Sequence, residues 1–177
     1  EPIETKAVLV ATGTTPRHPE IAWFYRGDIG SGNLIKQIFQ EIYLGPRFQR
    51  TYDMDPKYYI GSGYIERERL LIPPQLLHKL SRRFTMAIAT GRPRLEARYA
   101  LEHFGIAGYF ETVMSLNDCL AAEQEQAAAG LENESLSKPH PFMLERIGAE
   151  MASPGRPAYF CGDMPDDMQA ARRSTIP

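Results

Sequence analysis

The chain has no long hydrophobic run. Its apolar stretches fall far short of the roughly 20 residues needed to cross a bilayer as a helix, so no helical membrane span and no membrane partner are expected. It has no basic excess either. Lys and Arg number 20 against 22 Asp and Glu, and the net charge is −2, which removes the electrostatic footprint of nucleic-acid binding. Cysteine is scarce: Cys119 and Cys161 form no C-x-x-C pair, and such usage suits a reducing, cytoplasmic setting. H-E-x-x-H and G-x-x-x-x-G-K are missing, which excludes the commonest zinc-hydrolase and P-loop signatures. No signal-peptide pattern opens the sequence, and no segment repeats. The first residue is Glu1 rather than Met, and the sequence stops at Ile176-Pro177 soon after a last helix begins. The expectation is a piece of a longer protein, truncated at its C-terminus.

What is present is ordinary for a soluble fold: 177 residues and 43% apolar content, enough for one sizeable core and a small accessory domain. Lys6–Ala11 reads as a short buried strand, followed by a Gly/Pro-punctuated loop from Thr12 to Pro16. Trp23, Phe24 and Tyr25 are expected to pack. Gly30-Ser31-Gly32-Asn33 is a turn of the kind that can cradle phosphate, although most such turns do not. Between Leu34 and Leu44 the spacing predicts a helix, with Leu34, Ile35, Ile38, Phe39, Ile42 and Tyr43 on one face. Lys36, Gln37, Gln40 and Glu41 lie opposite. Residues 48–64 are expected to be irregular, Ile65–Leu71 helical, and Gln75–Arg82 helical behind Pro73-Pro74.

From Phe84 onward the pattern alternates. Strands are expected at 84–89, 112–115 and 157–160. Helices are expected at 93–104, 117–129 and 142–151, with another beginning after Asp167. That alternation signals an α/β fold with a Rossmann-like parallel sheet and flanking helices, whose ligands sit at the carboxyl ends of strands. Residues 83–177 would form this core. Residues 1–82 would be mainly a small helical cap, with one core strand possible at 6–11.

Three short segments fall at or near such strand ends. Thr90-Gly91-Arg92-Pro93 offers a hydroxyl and backbone N–H groups at a helix start, which can hold a phosphoryl oxygen. Lys138, in Ser137-Lys138-Pro139-His140-Pro141, can neutralise charge on the same group. Gly162-Asp163-Met164-Pro165-Asp166-Asp167 clusters carboxylates that suit a hard cation such as Mg²⁺. Each alone is commonly a cap, a surface turn or a solvated acidic turn. Their order and placement are the signal.

That order resembles the haloacid dehalogenase-like hydrolase superfamily, over roughly residues 84–173. Ala87–Pro93 is similar to its second motif, Lys138 to its third-motif lysine, and Gly162–Asp167 to its G-D-x-x-x-D fourth motif. Phe104-Gly105-Ile106 with Tyr109-Phe110 resembles the segment that follows motif two in phosphoglycolate phosphatase-like members. The resemblance implies an Mg²⁺-dependent phosphatase acting on a small phosphorylated metabolite through an aspartyl-phosphate. Thr90 and Lys138 would be its catalytic residues. Thr90, Gly91 and Lys138 would bind phosphate, and Asp163 and Asp167 would hold the metal.

The family's first motif, D-x-D-G-[TV] after an apolar strand, is missing. Its two acids are the nucleophile and the general acid and base. A gapless comparison starting at Lys6 puts Ala11 and Gly13 in their places. Three accounts remain open. The motif lies upstream of Glu1, in a longer protein. Or Lys6–Thr15 is a degenerate first motif, and the chain is a catalytically inactive binding or regulatory module. Or Asp53 and Asp55 supply the chemistry, although Pro56 stands where the family has Gly. In a cap, Arg26, Arg47, Arg50, Tyr58 and Tyr59 are candidate contacts for an anionic substrate, although solvated charges and packing aromatics are the plainer reading, and His140 is either an orienter of Lys138 or a plain turn residue.

Overall fold

The structure, a computed structural model, describes residues 6–12 (as backbone), 34–131, 134–151 and 158–175. The expectations placed on Trp23–Tyr25, Arg26 and Gly30–Asn33 lie outside them. Contacts divide the chain into two compact units, residues 16–71 and a larger unit made of 1–15 and 72–177.

In the larger unit, β1 (Lys6–Thr12), β2 (Phe84–Thr90), β3 (Thr112–Met114) and β4 (Ala158–Cys161) form a parallel sheet in the order β3-β2-β1-β4. β2 is a continuous apolar run that becomes fully buried from Met86 onward, as expected of a strand covered on both faces. The register brings the carboxyl ends together: Thr12 pairs with Thr90, Ala11 with Ala89, and Val10 with Cys161. The chain runs outward from β1 through β2 to β3, then returns to place β4 on β1's other side. The order therefore reverses at β1, and a crevice opens at such a reversal.

Helices α3 (Pro74–Ser81), α4 (Arg94–His103), α5 (Leu116–Ala128), α6 (Phe142–Met151) and α7 (Pro165–Arg173) belong to the same unit. Pro74 and Pro165 occupy first-turn positions, where a missing N–H costs nothing. Gly105 ends α4 at φ +63°. Its N–H and that of Ile106 close back on Glu102 and Leu101, a left-handed stop that glycine tolerates best. The core joins Ala87, Ala89 and Met114 of the sheet to Cys119, Leu136, Met143, Leu144, Ile147 and Ala170.

The smaller unit holds, among its described residues, α1 (Leu34–Leu44), α2 (Arg47–Tyr52) and a 3-10 turn at Tyr64–Arg67. Here the structure corrects two expectations. Residues 47–52 are helical, where irregular structure was expected. Ile65–Leu71 is a helix only in that single turn. The Glu68 N–H closes on Ile65, and the backbone then extends. Arg47 pairs with Glu66 at 2.7 Å, and the Tyr59 hydroxyl donates to the Ser62 carbonyl at 3.0 Å. Asp53 ends α2 in left-handed geometry, and Asp55 accepts from Gln49 at 2.6 Å.

The facing of α1 is a third finding. Its polar residues Gln37, Gln40 and Glu41 are buried, whereas Leu34, Ile35 and Phe39 are exposed. The reason is Glu41. Its carboxylate accepts the backbone N–H groups of Lys57 (3.0 Å), Tyr58 (2.6 Å) and Tyr59 (2.9 Å), and the Gln37 amide at 2.9 Å. Hydrogen bonds to a charged acceptor stabilise more than neutral ones, and here they outweigh the helix's apolar moment. Glycines tighten the same region. Gly45 has φ +56°, and a Cβ there would meet the Gly63 nitrogen at 2.3 Å.

Burial pushes the Glu41 pKa up, but the bonds from Lys57, Gln37, Tyr58 and Tyr59 hold it below the ordinary glutamate value. A lowered folded-state pKa stabilises at pH above the unfolded value, and that contribution is lost as pH falls through the folded one. Glu41→Gln should cost about 1–3 kcal/mol at neutral pH, read by urea unfolding of the 16–71 unit. The difference from wild type should shrink in acid. A pH-independent difference would contradict this role.

Candidate functional site

The site is assembled from three loops of the larger unit. The first follows β2. Thr90 is buried, and its Oγ1 accepts the Arg92 N–H at 3.1 Å, which folds residues 90–92 into a tight turn. Among the described residues, a Cβ on Gly91 would meet nothing within 4 Å. Burial lowers the Arg92 pKa and Glu96 opposes that shift, with the two ion-paired at 3.8 Å.

The second loop precedes α6. Lys138 reaches inward with only 7% of its side chain exposed. Its Nζ lies 2.6 Å from Asp167 Oδ1 and 3.4 Å from the Ala89 carbonyl, next in sequence to Thr90. The turn is closed by the His140 N–H on Ser137, and His140 Nδ1 accepts the Phe142 N–H at 3.1 Å. His140 therefore starts α6. No bond from it to Lys138 is formed.

The third loop follows β4. Asp167 is 1% exposed. One of its oxygens takes Lys138, and the other accepts the Met164 N–H at 3.1 Å, capping α7. A Cβ on Gly162 would stand 2.5 Å from Asp167 Cβ and 2.6 Å from its Cγ. Glycine is the residue that lets strand end and helix start close up. Asp163 is exposed, and its carboxylate makes no hydrogen bond or ion pair among the described residues. Asp166 and Asp167 in the first turn, with Arg172 and Arg173 in the last, complement the α7 dipole.

Lys138 thus links Asp167 to the end of β2 beside Thr90, and Asp163 lies exposed in the same loop as Asp167. Among the described residues, no group of three or more Asp, Glu, His or Cys could hold a metal by itself. Magnesium seldom asks for such a cage. It keeps several waters and takes one or two carboxylates plus phosphate oxygens. Asp163, an unengaged oxygen donor, fits that requirement; Asp167 is committed to Lys138. Cys119 is buried, and burial and then Glu123 push its thiol up to about 11, away from the thiolate form. No described helix is long and apolar enough to cross a membrane. The residues missed from sequence are Asn117 and Asp118, which reach across to the turn after β2.

A family model described as haloacid dehalogenase-like hydrolase matches residues 74–177, and the chain belongs to that family. Sixteen solved chains match. One is an X-ray structure of a Northeast Structural Genomics Consortium target, 27% identical with TM-score 0.59 over 79% of this chain. This chain spans only 42% of that one. A candidate phosphoglycolate phosphatase from Lactobacillus plantarum is 14% identical, with TM-score 0.54 over 98% of this chain and 84% of its own. The HAD-hydrolase YfnB from Bacillus subtilis, bound to magnesium, is 12% identical with TM-score 0.50 over 97% and 86%. At these identities the last two show the fold, an α/β Rossmann-type sheet with flanking helices. No curated protein matches.

Lys138→Met should destabilise the fold by about 3–5 kcal/mol, because it strands a buried carboxylate. Gly162→Ala should also lower the melting temperature, because Asp167 would have to move. Wild-type stability in both variants would show that the Lys138–Asp167 pair is not closed in solution.

Proposed function

We propose that this chain carries the phosphoryl-holding and metal-binding half of an Mg²⁺-dependent phosphatase site for a small phosphorylated metabolite. One observation supports the proposal: a buried lysine ammonium lies within 3.4 Å of the Ala89 carbonyl, which precedes Thr90 at the end of β2. Thr90 would donate to a phosphoryl oxygen, alongside the Gly91 N–H. Lys138, held in place by Asp167, would offset the charge that develops on that oxygen. Asp163 would hold the metal, which supplies charge neutralisation and polarisation of the phosphate; the magnesium-bound relative supports this choice of ion. Hydrolysis through an aspartyl-phosphate also needs a carboxylate nucleophile, which would come from outside residues 6–12.

A second reading is favoured by a specific observation. β1 occupies the sheet between β2 and β4, and position 11, in register with Ala89, is alanine. If that is the family's first-motif strand, the chain holds a phosphorylated ligand without turning it over, as a binding or regulatory module.

Both readings give this chain little turnover. With an aryl phosphate and MgCl₂, the wild type should not exceed a Thr90→Ala control. On the second reading, Ala11→Asp combined with Gly13→Asp should raise Mg²⁺-dependent hydrolysis well above it. A folded double substitution that stays inert would overturn the reading of β1 as the first-motif strand. Strong hydrolysis by the wild type would overturn the proposed gap at positions 11 and 13.

A further inference from the structure

The turn that carries Thr90 does not cap its own helix. Pro93, which precedes α4, makes no side-chain cap bond, and Pro has no N–H to offer. The cap comes from another loop. Asn117 Oδ1 accepts the Arg94 N–H at 2.8 Å, from 23 residues away. The same junction, between β3 and α5, grips the turn at two further points. The Leu116 N–H donates to the Arg92 carbonyl at 3.0 Å, and Asp118 Oδ1 takes Arg94 Nη2 at 2.6 Å. Asp118 is in turn fixed by the buried Ser115, whose N–H and hydroxyl both donate to Oδ2 at 2.8 and 2.7 Å. Burial raises the Asp118 pKa, but the Ser115 and Arg94 contacts win and lower it, so the carboxylate stays charged.

Two helix starts are therefore stitched together, and residues 92 and 94 are both held from outside. The residue between them is a proline with a fixed φ, and Thr90 Oγ1 is bonded to the Arg92 N–H. Between Thr90 and Arg94 little is left free to move except Gly91. A group that binds an oxyanion through one hydroxyl and one N–H gains most when both are already in place.

We infer that Asn117 is a positioning residue for phosphoryl binding. By capping α4 from the β3–α5 junction, with Asp118 clamping Arg94, it holds the Thr90–Gly91 donors in their binding geometry. Asn117 is exposed and Asp118 partly so, so neither is a core residue whose loss would collapse the fold. The role rests on the assignment of Thr90 and Lys138 to phosphoryl binding.

The test is titration of the folded chain with inorganic phosphate in the presence of MgCl₂, by calorimetry, with thermal unfolding run on every variant. At about 0.15 M salt, added surface charge is largely screened beyond a Debye length. Losing one cap should weaken phosphate binding in Asn117→Ala roughly fivefold, the equilibrium factor that one cap typically represents. Asn117→Asp restores an acceptor and should recover the affinity. Arg94→Met removes the Asp118 pair but keeps the backbone cap, and should weaken binding less than Asn117→Ala. A merely structural role would change the melting temperature without this order of affinities. Wild-type affinity in Asn117→Ala, with binding lost in Thr90→Ala, would overturn the positioning role alone. Failure of Asn117→Asp to recover, or a larger loss in Arg94→Met, would do the same. No phosphate binding by the wild type would overturn the site assignment and this role with it.

Discussion

A single buried ion pair, Lys138 with Asp167, is what the rest of the site hangs from. Both side chains are almost wholly removed from water, and at 2.6 Å each is the other's main compensation for the desolvation that burial imposes. Breaking such a pair from one side is far costlier than its net contribution suggests, because the orphaned charge remains buried. The pair therefore acts as a constraint. It draws the loop before α6 to the first turn of α7, it keeps Asp167 where the α7 cap needs it, and it brings the lysine to the Ala89 carbonyl near the end of β2. The glycine at 162 and the cap on Met164 serve that closure.

How far this was legible in the sequence depends on the range of the interaction. Strands and helices from Phe84 onward could be read because periodic apolar spacing, Pro at first turns and Gly105 at a stop are local signals. The convergence of Thr90, Lys138 and Asp167 could be expected because parallel α/β sheets put loops of one kind at one end. What escaped was set by contacts distant in sequence. Glu41 turns α1 polar-face-inward through three amides some 16 to 18 residues away, which no helical wheel shows. Asn117, where the sequence pattern begins a helix, caps α4 instead. Asp167, expected at a metal, also pairs with Lys138, and an acidic cluster does not announce such a pairing. The short α2 and the curtailed turn at Tyr64–Arg67 are each too brief for periodicity to register.

The position of β1 bears most on function. Membership of the haloacid dehalogenase-like family fixes a broad expectation of hydrolytic chemistry, yet a site is defined by its residues and not by its fold. Here the strand between β2 and β4 runs Lys-Ala-Val-Leu-Val-Ala-Thr, with no acid in it. The groups proposed to hold and neutralise a phosphoryl oxygen lie in this chain, whereas no carboxylate stands on the described residues of β1. Binding and turnover are thus separable in the proposal, and the pair and the capped turn bear on the first.

The most direct test of that account is a crystal structure of the chain grown with MgCl₂ and tungstate, a phosphate mimic whose heavy atom is located without ambiguity. The account predicts one ordered oxyanion at the end of β2, accepting from the Thr90 hydroxyl, the Gly91 N–H and Lys138 Nζ, with the Lys138–Asp167 pair intact beside it. Tungstate bound elsewhere, or Lys138 turned away from Thr90 while the fold is unchanged, would contradict it.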